Sequence, residues 1–106
     1  MDALPIVEAT GAAFASSHPG KMHACGHDGH MSMALAAATY VDRAIRERPG
    51  VIKRNVLFVF QPAEETFYGA QSIVDKGHLD DVMNFIAVHI ALSAENKPLP
   101  SHTVAC

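Results

Sequence analysis

A chain of 106 residues, 49% hydrophobic and 18% charged, has room for one small domain with a single core, and this composition excludes a disordered segment. A net charge of -3, with eight Lys and Arg residues scattered along the chain, offers no basic face to nucleic acid. Two cysteines, one at the last position, make no disulfide framework, and no apolar run is long enough to cross a bilayer, so a cytoplasmic protein without a membrane partner is expected.

Residues 1–6 read as the end of a strand, and the Ala-, Ser- and Gly-rich stretch 8–21, with Pro19-Gly20, reads as a loop. Met31, Leu35, Ala38, Val41 and Ile45 recur at spacings of four and three, which predicts a helix over 28–48, ended by Pro49-Gly50. The run VLFVF at 56–60 is short, β-branched and aromatic, as expected of a strand buried on both faces, and FIAVHI at 85–90 is a second such run. Between them, 70–76 with Gly77 beyond predicts a short helix closed by a glycine. Strand, helix, strand implies a right-handed parallel crossover and an α/β fold. A short last segment is expected at 103–105.

Three groups of chemically useful residues fall where such strands end or helices begin, the usual place for ligands in open α/β sheets. The densest is MHACGHDGHM, residues 22–31. Gly26 lets the chain bend between Cys25 and His27, so that a thiolate and an imidazole, the donors zinc prefers, converge. Taken singly, Cys25 suits a small buried hydrophobe and Asp28 a helix cap. Taken with His23, His27 and His30, they point to metal, because a core rarely needs so many ionisable groups side by side.

The second group is QPAEE, residues 61–65, directly after the apolar run. Neighbouring carboxylates on a regular strand face opposite ways, but Pro62 ends the strand and lets Glu64 and Glu65 turn towards one place, one to bind a cation and the other to face a water. The third is His89, set in an otherwise apolar run. His18, His78 and His102 have no such company and read as surface residues.

MDALP at 1–5, GKMHACGHDGH at 20–30, FQPAEE at 60–65, Gly69-Ala70 and AVH at 87–89 resemble, in order, the motifs of the metal-dependent amidohydrolases related to aminoacylase and carboxypeptidase G. The branch is that of hippurate, indole-acetyl-amino-acid and aminobenzoyl-glutamate hydrolases, and the stretch 79–90 is most similar to the last of these. The resemblance implies four metal ligands, Cys25, His27, Glu65 and His89, with Glu64 as general base and Asp2, His23 and Asp28 as groups that hold ligands in position. It further implies one or two divalent ions, zinc or manganese, and hydrolysis of N-acyl amino acids or dipeptide-like amides by an activated water.

The same resemblance implies a helix-flanked, mainly parallel sheet of the zinc-peptidase kind. Family members are three to four times longer, so residues 1–106 are expected to be part of a catalytic domain without its lid and dimerisation domain, and with weak or no activity alone. The alternative is a non-catalytic α/β metal-binding module that assembles with another chain, a homo-oligomer included, to cover its open sheet edges.

Overall fold

A computed structural model describes residues 1–90 of the chain; the expected segment 103–105, His102 and Cys106 lie outside them. Two helices organise it, α1 at His27–Glu47 and α2 at Gly69–Asp75. Each begins one residue before the expected position.

Helix α1 starts at Gly26, whose φ of 80° is the left-handed conformation that glycine adopts without a Cβ penalty. No side chain caps it; its first turn closes on the Gly26 carbonyl, which accepts from the His30 N–H at 3.1 Å. Asp28 in the first turn and Arg46 in the last suit the helix dipole, and the pairs Asp42–Arg46 and Arg43–Glu47 brace its exposed end. The covered stripe runs through His27, His30, Met31, Ala34, Ala38, Val41 and Ala44. Leu35 and Ile45, expected on that stripe, are 60% and 47% exposed. The covered face is rotated towards the smaller alanines.

Helix α2 ends in a Schellman motif: the Gly77 N–H donates to the Val74 carbonyl and the His78 N–H to the Ile73 carbonyl, with Gly77 at φ 69°. Its start is wedged against the preceding turn. A Cβ on Gly69 would sit 1.5 Å from the Pro62 carbonyl oxygen, so only glycine fits there.

The expected sheet is not formed among the described residues. The first expected strand contributes one antiparallel bridge, Leu4 with Met22, whose two N–H groups donate to each other's carbonyls at 2.7 and 3.0 Å. Segments 56–60 and 85–90 carry no ladder between them, and Val56, Leu57, Phe85, Ile86 and Val88 are exposed instead of buried on both faces. A strand is stabilised by a neighbour about 4.8 Å away, and these two segments do not supply one to each other. A groove of about 370 Å³ lies where residues 57–60 and Pro62 face α2 and His78.

Candidate metal centre

The two most buried polar side chains described are His27, 3% exposed, and His30, 7% exposed; Ala44 is the one apolar side chain in the same class. The interior nearest the chain's chemistry is therefore an imidazole cluster. His27 lies 5.4 Å from His30 and 6.4 Å from His89, ring centre to ring centre, and His30 lies 4.7 Å from His89.

Two groups of donor atoms share His27. Cys25, His27 and His89 form one, and His27, Glu64 and Glu65 the other, with the donor atoms of each group within 4.8 Å of one another. Cys25 Sγ is 3.8 Å from His89 Nε2, while His27 Nε2 is 3.5 Å from Glu64 Oε2 and 3.9 Å from Glu65 Oε1. Residues from three distant stretches of the sequence thus meet at the start of α1.

Asp2 ties these stretches together. Its carboxylate accepts the Ala63 N–H at 2.8 Å and the Glu65 N–H at 3.1 Å, which sets the glutamate turn. Its own N–H donates to His27 Nδ1 at 2.9 Å, and its carbonyl accepts from His23 Nδ1 at 2.9 Å. The Glu65 amide, with that of Ala63, holds the Asp2 carboxyl below the usual carboxylate range. The turn itself is strained, with Ala63 and Phe67 at φ 53° and 63°, a conformation that costs an L-residue about 1 kcal/mol.

His89 has the arrangement common among metal-binding histidines: Nδ1–H donates to the Ile90 carbonyl at 2.6 Å, which leaves the Nε2 lone pair facing Cys25. His27 differs. With Nδ1 accepting from Asp2, the neutral ring carries its proton on Nε2, the nitrogen that faces the glutamates. The Glu65 carboxylate beside Cys25 pushes its thiol up, followed by burial and by the charge of Glu64. Burial, then the charges of His89 and His27, pushes His30 below the usual imidazole range.

Asp28 does not join the cluster; it is exposed on the first turn of α1, where its helix-capping alternative also fails because Gly26 is the cap. His18 and His78 are exposed, as expected. His30, which sequence reasoning placed in the histidine-rich loop without a role of its own, accepts the Ile90 N–H at 2.8 Å. Its signal was the three-residue step from His27, which puts both rings on one helix face.

Glu65 Oε1 is buried and accepts no hydrogen bond from a nitrogen or oxygen among the described residues, and the Cys25 thiol beside its carboxylate is only a weak donor. A carboxylate oxygen in that state, beside a thiol and an imidazole, fits a cation, and the mixed S, N and O donors suit zinc or a similar divalent ion.

The description "Peptidase family M20/M25/M40" matches residues 1–101. An N-acetyldiaminopimelate deacetylase of Lactiplantibacillus plantarum is 42% identical over 106 residues, 100% of this chain and 26% of that protein. One from Streptococcus pneumoniae is 47% identical over 92 residues, 85% of this chain and 23% of the relative. The IAA-amino acid hydrolase ILR1-like 6 of Arabidopsis thaliana is 46% identical over 91 residues, 86% of this chain and 19% of its own length. The chain spans about a quarter or less of the length of these curated relatives. No solved structure matches it. No described helix is long and apolar enough to cross a membrane. The chain belongs to peptidase family M20/M25/M40.

Proposed function

We propose that this chain is the metal-binding part of a catalytic domain that hydrolyses the amide bond of N-acyl amino acids or related small amides. The observation that carries the reading is the orphaned Glu65 Oε1 beside His27, the residue shared by the Cys25–His27–His89 and His27–Glu64–Glu65 donor groups. The relatives' names, a deacetylase and an amino acid hydrolase, support the reaction class. In the complete domain, residues 56–60 and 85–90 would be strands of the parallel sheet. Zinc or manganese is the ion, the compartment is cytoplasmic, and an aminobenzoyl-glutamate-like amide is within the substrate class.

Cys25, His27, Glu65 and His89 would hold the ion, which when bound would supply Lewis acidity and lower the pKa of a nearby water. The residues then divide the remaining work. Glu64, 49% exposed against 30% for Glu65, faces solvent and is the carboxylate free to take a proton from water and return it to the leaving amine nitrogen. Asp2 fixes the turn that separates these two roles through the amides of Ala63 and Glu65, and His23 braces Asp2 from behind. Binding through His27 Nε2 requires the proton on that nitrogen to leave and the Asp2 N–H to release Nδ1.

The test is a pair of isosteric variants. Glu65→Gln should weaken zinc by roughly 10–100-fold, whereas Glu64→Gln should keep zinc within a few-fold and lower turnover of an acyl-amino-acid panel by about 10²–10⁴-fold in the full-length enzyme. Equal zinc affinity in both variants and the parent would remove Glu65 from the site. A second reading, a non-catalytic module completed by another chain, draws support from the exposed apolar residues Leu57, Ile86 and Val88. Turnover separates the two, since zinc binding serves both.

A further inference from the structure

We propose that His30 is a positioning residue for this centre: by accepting the Ile90 backbone N–H it fixes the peptide that follows His89 and so sets the His89 ring against Cys25. The proposal rests on the metal reading of the site.

Neither proton transfer nor ligation uses His30, yet it is one of the two most buried polar side chains described. Its Nε2 accepts from Ile90 N–H at 2.8 Å, and its ring meets that of His89 edge-on, 4.7 Å away and inclined at 63°. Ile90 is held a second time, through its carbonyl, by the Nδ1–H of His89. One residue therefore carries both bonds: His30 holds the Ile90 N–H, and the Ile90 carbonyl holds the His89 ring with Nε2 turned to Cys25.

The Ile90 side chain is seated in the same place. A Cβ on Gly29 would lie 2.5 Å from Ile90 Cδ1, and one on Gly26 would lie 3.4 Å from it, so the bare start of α1 is what lets the segment approach. With no ladder between 85–90 and 56–60, the His30 tether supplies the backbone hydrogen bond that a strand neighbour would otherwise provide.

The test uses the 106-residue chain with His30→Leu, which keeps bulk and loses the acceptor, His30→Gln, which restores an acceptor oxygen, His89→Ala, and the double variant His30→Leu/His89→Ala. Zinc affinity is read by chelator competition and Ile90 amide exchange by NMR without added metal. His30→Leu should bind zinc roughly 10–100-fold more weakly, His30→Gln should recover most of the loss, and the double variant should bind no more weakly than His89→Ala. Ile90 exchange should be slow in the parent and in His30→Gln and fast in His30→Leu. If His30→Leu loses its helical signal, Gly29→Val, which unseats Ile90 with His30 intact, should show the same zinc loss. Parental affinity in His30→Leu, or losses that add in full with His89→Ala, would overturn the proposal. A parent that binds no zinc contradicts the metal reading instead; Ile90 exchange then decides the tether, slow and His30-dependent supporting it, fast in the parent overturning it.

Discussion

Around His27, residues 1–4, 22–30, 61–66 and 89–90 are joined by hydrogen bonds that run through Asp2, His23 and His30, whereas the far half of α1 rests on small alanines and leaves Leu35, Tyr40 and Ile45 in solvent. The first region is held by polar geometry and the second by little contact at all. Polar groups can satisfy one another within a short stretch of backbone, one donor to one acceptor. An apolar face needs a partner layer as wide as itself. The end around His27 is thus held by hydrogen bonds while the hydrophobic surfaces of the described residues remain largely uncovered.

The contrast breaks most completely at Gly69. Gly69→Ala drives a Cβ into the Pro62 carbonyl, so the Ala63–Gly69 turn must move. We expect a loss of at least about 2 kcal/mol in urea unfolding, with zinc affinity falling in parallel. Parental stability in this variant would show that the turn is not wedged as described.

Asp2 comes next. Asp2→Ala should free the amides of Ala63 and Glu65 to exchange while α1 keeps its helical signal, because His27 is the one residue of α1 that Asp2 bonds. The pH response follows from its lowered carboxyl. A carboxylate held below its ordinary value of about 3.9 contributes stability above that value and loses it as pH falls through the lower folded value. Protection of the two amides should therefore persist at pH 5 and fade only below about pH 4, and Asp2→Asn should abolish that dependence.

Cys25 sharpens the same contrast with the opposite sign. Its thiol is pushed up by Glu65, so its contribution to metal-free stability is present below the ordinary thiol value of about 8.5 and lost as pH rises through the higher folded value. Zinc affinity should move the other way, rising with pH because the ligand is the thiolate. Cys25→Ser should flatten most of that rise. An unaltered slope would exclude Cys25 from the site.

The smallest effects belong to the bare face of α1. Leu35→Gln and Ile45→Gln should each change the stability of the 106-residue chain by no more than about 0.5 kcal/mol, while Ala44→Leu, which overfills a buried position, should cost about 1–3 kcal/mol. Large losses at Leu35 or Ile45 would mean that the face is covered in solution.

Both helices were legible in the sequence because the period of α1 and the glycine stop of α2 are local. The strands expected at 56–60 and 85–90 rested on hydrophobic runs alone, since pairing depends on a neighbour that no short window contains, and neither pairs with the other in the structure. The grouping of Cys25, His27, Glu64, Glu65 and His89 followed from the order of their motifs. The resemblance named Asp2 as a bracing group, but its partners stayed hidden, the amides of Ala63 and Glu65, as did the bond of His30 to the amide of Ile90. Every residue but proline carries that donor, so a backbone partner leaves no mark in the sequence. Asp28, close to the ligands in sequence, is exposed on the first turn of α1, which a short window likewise does not show.

The central claim, that one centre draws on the histidine loop, the glutamate turn and His89, is tested most directly by X-ray absorption at the zinc edge of the loaded chain. The account predicts one sulfur at about 2.3 Å with nitrogen and oxygen donors at about 2.0–2.2 Å, the sulfur shell vanishing in Cys25→Ser and one light-atom donor changing in His89→Ala. A zinc shell of nitrogen and oxygen alone, identical in the parent and in both variants, would contradict it.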